Sequence, residues 1–198
     1  MGLKTEIDVT GKLANQVIDW IKADADRYQT LQIAADLNLN QWCLGAGFVR
    51  NLVWDHLHFN RSISPLNDID FIYFNEEEKS AELDLVYEER VNAISSKPWS
   101  VKNQARMHQR NNDSPYQSTL DAMSYWTEIE TAVGVTMKNT GELELLTPFG
   151  IKKLFDKTIS FNPKSNNPVD FAKRVSNKQW LRQWPDLKLV ASHLTLNR

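Results

Sequence analysis

Asp68 and Asp70 stand at i and i+2 at the head of the run Asn67-Asp68-Ile69-Asp70-Phe71-Ile72-Tyr73-Phe74. In a strand, the period of two puts both carboxylates on one face, with Cβ atoms roughly 6–7 Å apart. Such a pair repels itself in a partly buried site. A divalent cation relieves the repulsion, and Mg²⁺ takes hard oxygen ligands, commonly one or two carboxylates with phosphate oxygens and water. Upstream lies Cys43-Leu44-Gly45-Ala46-Gly47-Phe48-Val49-Arg50-Asn51. Gly45 and Gly47 bracket one small residue after an apolar run, so the backbone can take positive φ and no side chain bars a ligand. A helix opening there offers free N–H groups and the positive end of its dipole to a phosphate. Arg50, one turn inside, could reach that phosphate or brace the following loop. Each segment alone also reads as plain structure, a tight turn and a turn-edge aspartate pair. Joined, they make an anion cradle beside a metal-binding pair. The cradle is not a Walker loop, which needs Gly-Lys-Ser/Thr. It is not a dinucleotide fingerprint either, because Arg50 holds the third glycine position.

Elements must position these groups. Apolar spacing predicts helices over Lys12 to Ile21, with Thr10 as N-cap, and over Asp26 to Leu39. Gln41 to Leu44 reads as a strand, Phe48 to Leu57 as a helix, 58–67 as a loop around Pro65, and Asp68 to Phe74 as a strand. Lys79 to Ser95 is a charged amphipathic helix, and Pro98 introduces a strand over Trp99 to Gln104. Arg106 to Tyr116 reads as polar loop and Ser118 to Trp126 as helix. Ala132 to Lys138 and Leu143 to Thr147 form a hairpin through Asn139-Thr140-Gly141. A short helix at Ile151 to Phe155, a strand near Thr158 to Phe161 and a helix from Phe171 to Trp184 complete the chain. This order predicts an α/β (α+β) architecture with helices on a mixed central sheet. One domain over 1–198 is expected, with a core of about 30–150 and a helix-and-hairpin C-terminal extension of about 151–198.

Composition narrows the class. The 198 residues are 41% hydrophobic and 24% charged, enough for one sizeable core without staples. Cys43 is the one cysteine, which rules out a disulfide framework within the chain, and its apolar setting predicts a buried thiol. A net charge of −2 argues against a protein that coats nucleic acid but leaves room for a locally basic pocket. No secretory leader and no apolar run of the ~18 residues needed to span a bilayer stand out, so a cytoplasmic protein is expected. The many tryptophans and phenylalanines read first as core residues. His56 and His58 read as helix-end residues, and the histidine pattern does not fit a zinc hydrolase.

The segments Cys43-Leu-Gly-Ala-Gly-Phe-Val-Arg-Asn-Leu-Val-Trp-Asp55, Leu66-Asn-Asp-Ile-Asp-Phe-Ile-Tyr-Phe74, Asn103-Gln-Ala-Arg-Met-His108, Pro115-Tyr116, Thr147-Pro-Phe-Gly-Ile-Lys-Lys-Leu-Phe155 and Lys178-Gln-Trp-Leu-Arg-Gln-Trp-Pro-Asp-Leu187 together resemble a bacterial nucleotidyltransferase branch of the polymerase-beta-like nucleotidyltransferase superfamily. The match runs over about residues 30–187. The resemblance implies that fold, with Gly45 and Ala46 at the phosphate turn, Gly47 adding room, and Asp68 and Asp70 holding Mg²⁺ or Mn²⁺. It implies transfer of an NMP from an NTP to an acceptor hydroxyl. A third carboxylate is expected on the next core strand, where this chain offers Asn103, which can give a carbonyl oxygen but no charge or base. Either one metal suffices, or Glu142 or Glu144 on the hairpin substitutes, or the protein binds nucleotide in a regulatory role with weak or no catalysis. Arg106 and His108 follow that strand at alternating spacing, Arg106 as a phosphate fork and His108 as a hydrogen-bonding or proton-transfer group near base, ribose or acceptor. The acceptor is left among a small molecule, a short RNA end and a protein hydroxyl, with neither membrane nor extended DNA expected as a partner.

Overall fold

Alternating side chains decide which way the central sheet faces. In the computed structural model, which describes residues 2–59 and 63–190 with side chains from Val9 onward, helices α1 (Gly2–Ala23) and α2 (Ala25–Asp36) lead into β1 (Cys43–Gly45) and α3 (Gly47–Leu57). Next come β2 (Ile69–Tyr73), α4 (Ala81–Ile94) and β3 (Trp99–Asn103), then a 3₁₀ turn at Gln104–Arg106, α5 (Met107–Asn111) and α6 (Thr119–Met123). A second 3₁₀ turn (Ile129–Thr131) precedes the hairpin β4 (Gly134–Met137) and β5 (Leu143–Leu146). The chain ends in α7 (Lys152–Phe155), β6 (Thr158–Ser160), a 3₁₀ turn (Pro163–Ser165), α8 (Pro168–Lys178), α9 (Trp180–Gln183) and β7 (Lys188–Val190). Residues 60–62 of the expected loop and 191–198 of the expected extension lie outside the described residues.

The five-stranded sheet has the order β3-β2-β1-β4-β5, with β2 and β3 parallel and the other pairs antiparallel. It is the mixed sheet that the order of elements predicts. Ile69, Phe71 and Tyr73 enter the main core with Leu44, Val101, Val135 and the inward residues of α1–α3. Ile72 points the other way, onto Cys43 and Met123. Asp70 shares the face of Ile72, so its carboxylate opens onto the side of the sheet opposite the main core.

Three local departures have physical reasons. The expected helix over 171–184 divides at Gln179, whose φ of 56° is left-handed and breaks the helical path. The polar stretch after Arg106 holds α5, ended by Asn112 in the left-handed region. Lys188–Val190 pairs in parallel with β6 as a separate two-stranded sheet, which its short exposed sequence did not announce. Trp54 of α3 packs with Phe171, Trp180 and Trp184, and this aromatic cluster fixes α8 and α9 to the body. Each such burial stabilises the attachment by about 1.5–3 kcal/mol. Among the described residues, no helix is long and apolar enough to cross a membrane.

Candidate active site

The register of β1 against β2 brings the two sequence segments together. Cys43 lies opposite Ile72 and Leu44 opposite Phe71, so one further step sets Gly45 beside Asp70. Ala46 and Asp70 both line a cleft of about 570 Å³, a volume within the range of small-molecule and cofactor sites. Asp68, just before β2, is exposed, and Asp70 is half-buried. Burial and then the neighbouring Asp68 charge push the Asp70 carboxyl up to about 6, with Arg50, Lys178 and Arg174 pulling it back. Carboxylate oxygens are the hard donors a divalent cation prefers. Among the described residues, no cluster of three or more His, Cys, Asp or Glu has metal-site geometry.

The glycine turn works differently from the expectation. The left-handed residue is Ala46, with φ 52° and ψ −120°. Gly45 is needed for space: a Cβ there would sit 2.8 Å from the Trp126 ring. At Gly47 a Cβ would meet the Asn51 side chain at 3.3 Å. The helix opened by this turn has no side-chain cap. The Ala46 N–H donates to Val133 O, and the Val49 and Arg50 N–H groups reach back to Ala46 O. Helix geometry leaves the Gly47 and Phe48 amides without an acceptor inside the helix.

Arg50 does not line the cleft; it braces. Its Nη1 donates to Thr131 Oγ1 at 2.6 Å and Nη2 to Asn51 Oδ1 at 2.9 Å, while the guanidinium sits 5.1 Å from the Trp54 ring and 4.7 Å from Trp180. Burial lowers its pKa to about 10, with Glu128, Asp70 and Glu130 opposing. It is thus a buried cation between α3, the 128–131 segment and α9.

The end of β3 corrects three further assignments. Trp99 and Val101 belong to the main core, so the period of two sends Asn103 to that side and turns Lys102 and Gln104 to the cleft, where both are found. Asn103 is fully buried and saturated. Its Oδ1 accepts from Asn75 N and Ala105 N at 3.0 Å each, and Nδ2 donates to Asn75 O at 2.8 Å and Glu78 O at 2.9 Å. These four bonds use its whole capacity, so it holds the 75–78 loop and has no free oxygen lone pair turned to the cleft. Arg106 pairs with Asp84 of α4 and donates to Asn103 O at 3.1 Å, away from the cleft. His108 packs edge-on to Tyr116, with its Nδ1 buried and without a hydrogen-bond partner among the described residues, and does not line the cleft. The reason is the change of period at Gln104: in the helical stretch that follows, Gln104, Met107 and Asn111 share the cleft-facing stripe.

Glu142 and Glu144 both pair with Lys138, at 3.4 and 3.3 Å, on exposed hairpin strands. They stand on the far edge of the sheet from β2. His58 ends α3, its Nδ1 bonded to Trp54 O at 2.8 Å, and His56 stacks on Trp20 at 4.1 Å, both as expected of helix-end residues. Cys43 is buried, and burial raises its thiol pKa.

The opposite wall of the cleft was not foreseen. Glu128, almost fully buried, takes a two-point grip from Arg174 of α8, Nε at 2.7 Å and Nη2 at 3.1 Å. Burial works against the Arg174 charge, yet the bond to Glu128 raises its pKa. Asp170, one turn earlier on α8, accepts from Thr127 Oγ1 at 3.1 Å. The i, i+4 spacing of Asp170 and Arg174 on an amphipathic helix is the signal that could have marked them. Behind this wall Glu130 accepts from Thr158 Oγ1, Ser160 N and Ser160 Oγ, and burial still raises its pKa.

The cleft thus joins the open N-terminus of α3 at Ala46, the Asp70 carboxylate and the cations Lys102, Arg110 and Arg174. The nucleotidyltransferase family profile matches residues 32–189, and the chain belongs to that family. Its fold is the polymerase-beta-like nucleotidyltransferase fold. No curated protein matches the sequence. Among solved structures, a protein whose NMR structure reveals a CCA-adding enzyme head domain is 28% identical, with a TM-score of 0.80 over 90% of this chain and 96% of that one. A CCA-adding enzyme in complex with CTP has 14% identity and a TM-score of 0.55, covering 92% of this chain and 43% of that one. A tRNA-processing enzyme complex has 18% identity and a TM-score of 0.52, covering 81% and 42%. The last two share the fold, and the chain spans about two-fifths of their length.

Proposed function

We propose that the protein is a metal-dependent nucleotidyltransferase that moves an NMP from an NTP to an acceptor hydroxyl and releases pyrophosphate. The supporting observation is the register that sets the Gly45–Gly47 turn beside Asp70, so that Ala46, at the open N-terminus of α3, and the Asp70 carboxylate line one cleft, with Asp68 two residues before Asp70. Asp68 and Asp70 would hold Mg²⁺ or Mn²⁺. Bound there, the cation would supply charge neutralisation at the phosphates and at the attacking oxygen. The chain's own groups do the positioning. The Gly47 and Phe48 amides bind phosphate oxygens at the positive end of α3. Arg174 and Lys178, whose charges already act on Asp70, attract the polyphosphate from the α8 side. Lys102 adds a further cation on the β3 side. Fixed positive groups aimed at developing negative charge are the main protein contribution to such transfers.

CTP and ATP are the first donors to test, since CCA-adding enzymes of this fold form complexes with them. A small molecule, a short RNA end or a protein hydroxyl suits a chain of net charge −2 better than extended DNA. Because α8 walls the same cleft as β2, the described core and C-terminal extension act as one unit, and the cytoplasm is the proposed setting. The test couples a thermal-shift screen of the four NTPs with Mg²⁺ and Mn²⁺ to pyrophosphate release. The reading is lost if folded Asp68→Ala and Asp70→Ala proteins keep full NTP turnover.

A second reading, a nucleotide-binding regulator, is favoured by one observation: the β3 residue turned toward the cleft beside Ile72 is Lys102, not an acid. It predicts that Mg-NTP raises the melting temperature while no acceptor yields pyrophosphate.

A further inference from the structure

We propose that Trp126 is the platform on which the nucleobase of the bound nucleotide stacks, an inference that rests on the nucleotide-site reading above. Trp126 is half-buried and lines the cleft beside Ala46 and Asp70. Its ring edge reaches the backbone at Gly45, where a Cβ would stand 2.8 Å from it. Its inner side packs on the cluster of Cys43, Ile72 and Met123. The glycine most suggestive of ligand approach therefore makes room for an indole, and the indole forms part of the site's surface.

The platform is rigidly mounted. Asn162, nearly fully buried, donates through Nδ2 to Ser124 O at 2.8 Å and to Trp126 O at 2.7 Å, and through its N–H to Thr127 O at 3.0 Å. The Trp126 N–H donates to Met123 O at 3.0 Å. Four backbone bonds thus hold the 123–127 segment, which keeps the ordering penalty of binding small. The adjacent Tyr125 is not available for the same role: Lys164 Nζ lies 3.8 Å from its ring centre and Tyr116 packs at 4.9 Å. Among the described residues, no aromatic ring or cation is stacked on Trp126. Every base has a π-face, so a stacking platform binds bases without reading their edges. The ligand class is accordingly a purine or pyrimidine nucleoside triphosphate, with edge discrimination left to polar groups such as Gln104 and Asn111 on the cleft wall.

The test compares Mg-ATP and Mg-CTP with ribose 5-triphosphate, which carries the same phosphates and no base, by calorimetric titration of the intact protein. Trp126→Leu should weaken both NTPs about tenfold and leave ribose 5-triphosphate unchanged. Trp126→Phe, which keeps a ring, should restore most of the NTP affinity and serves if the leucine variant folds poorly. Equal NTP binding by wild type and Trp126→Leu, or an equal loss for ribose 5-triphosphate, would overturn the platform while leaving the nucleotide site in place. If the wild type binds no NTP at all, the site reading falls and the platform with it.

Discussion

The two sides of β3 carry polar side chains in opposite conditions. On the core side, α4 covers the sheet edge: Asp84 accepts from Asn103 N at 3.1 Å and from Tyr73 Oη at 2.8 Å and pairs with Arg106, while Glu88 accepts from Val101 N at 3.1 Å. Asn103 completes its own four bonds there. On the cleft side, Asp70 has a raised pKa, Lys102 and Gln104 face open volume, and the first amides of α3 lack acceptors within the helix. A buried polar group with every partner supplied by the chain builds the fold. Groups left electrostatically strained around a cavity are suited to a ligand.

Breaking the cleft side should have the largest effect. Asp70→Asn is expected to lower nucleotidyl transfer by on the order of 10²–10³-fold in a pyrophosphate-release assay. The same change should stabilise the free protein. Because the folded pKa of about 6 exceeds the ordinary 3.8, the folded state holds the proton more tightly. The penalty for ionising Asp70 is thus absent below pH 4 and grows as pH rises through 6. Melting curves should show Asp70→Asn gaining up to about 3 kcal/mol over wild type at pH 8, and nothing at pH 3.5.

The core side should respond in the reverse sense. Asp84→Ala strips partners from Tyr73, Asn103 and Arg106 and should destabilise by about 3–5 kcal/mol, with kcat per folded molecule retained. Asn103→Asp sharpens the contrast, since it supplies the acid the family pattern expects in a place that cannot use it. It should cost about 1–3 kcal/mol by chemical denaturation, with no tightening of Mn²⁺ binding in an EPR titration. A gain in Mn²⁺ affinity would return Asn103 to the metal site. Smallest of all, Glu142→Gln with Glu144→Gln should change stability by no more than about 0.5 kcal/mol and leave transfer untouched.

The sequence was most readable where one local rule sufficed. Strand alternation put Asp70 on the face away from the main core, and the order of elements gave the mixed sheet. The same rule, carried to β3, separates Asn103 from Lys102 and Gln104, because Trp99 and Val101 are too apolar to face the cleft. Arg106 and His108 were misplaced for a different reason: a strand period was extended past Gln104, where the backbone turns helical. The remaining site depends on distant pairs. Glu128 meets Arg174 across 46 residues, and Arg50 meets Thr131 across 81. No spacing rule reaches that far, so only the fold brings them together.

Ala46 has one more consequence. A residue with a Cβ held at φ 52° and ψ −120° stays there only because its surroundings over-determine it, and such a conformation stores about 1–3 kcal/mol. The turn behaves as a cocked spring. Replacing Ala46 with glycine would release the tension and raise the melting point, but would let the mouth of α3 wander. A more heat-resistant protein with a poorer aim at phosphate would result, which makes this alanine a dial between durability and accuracy.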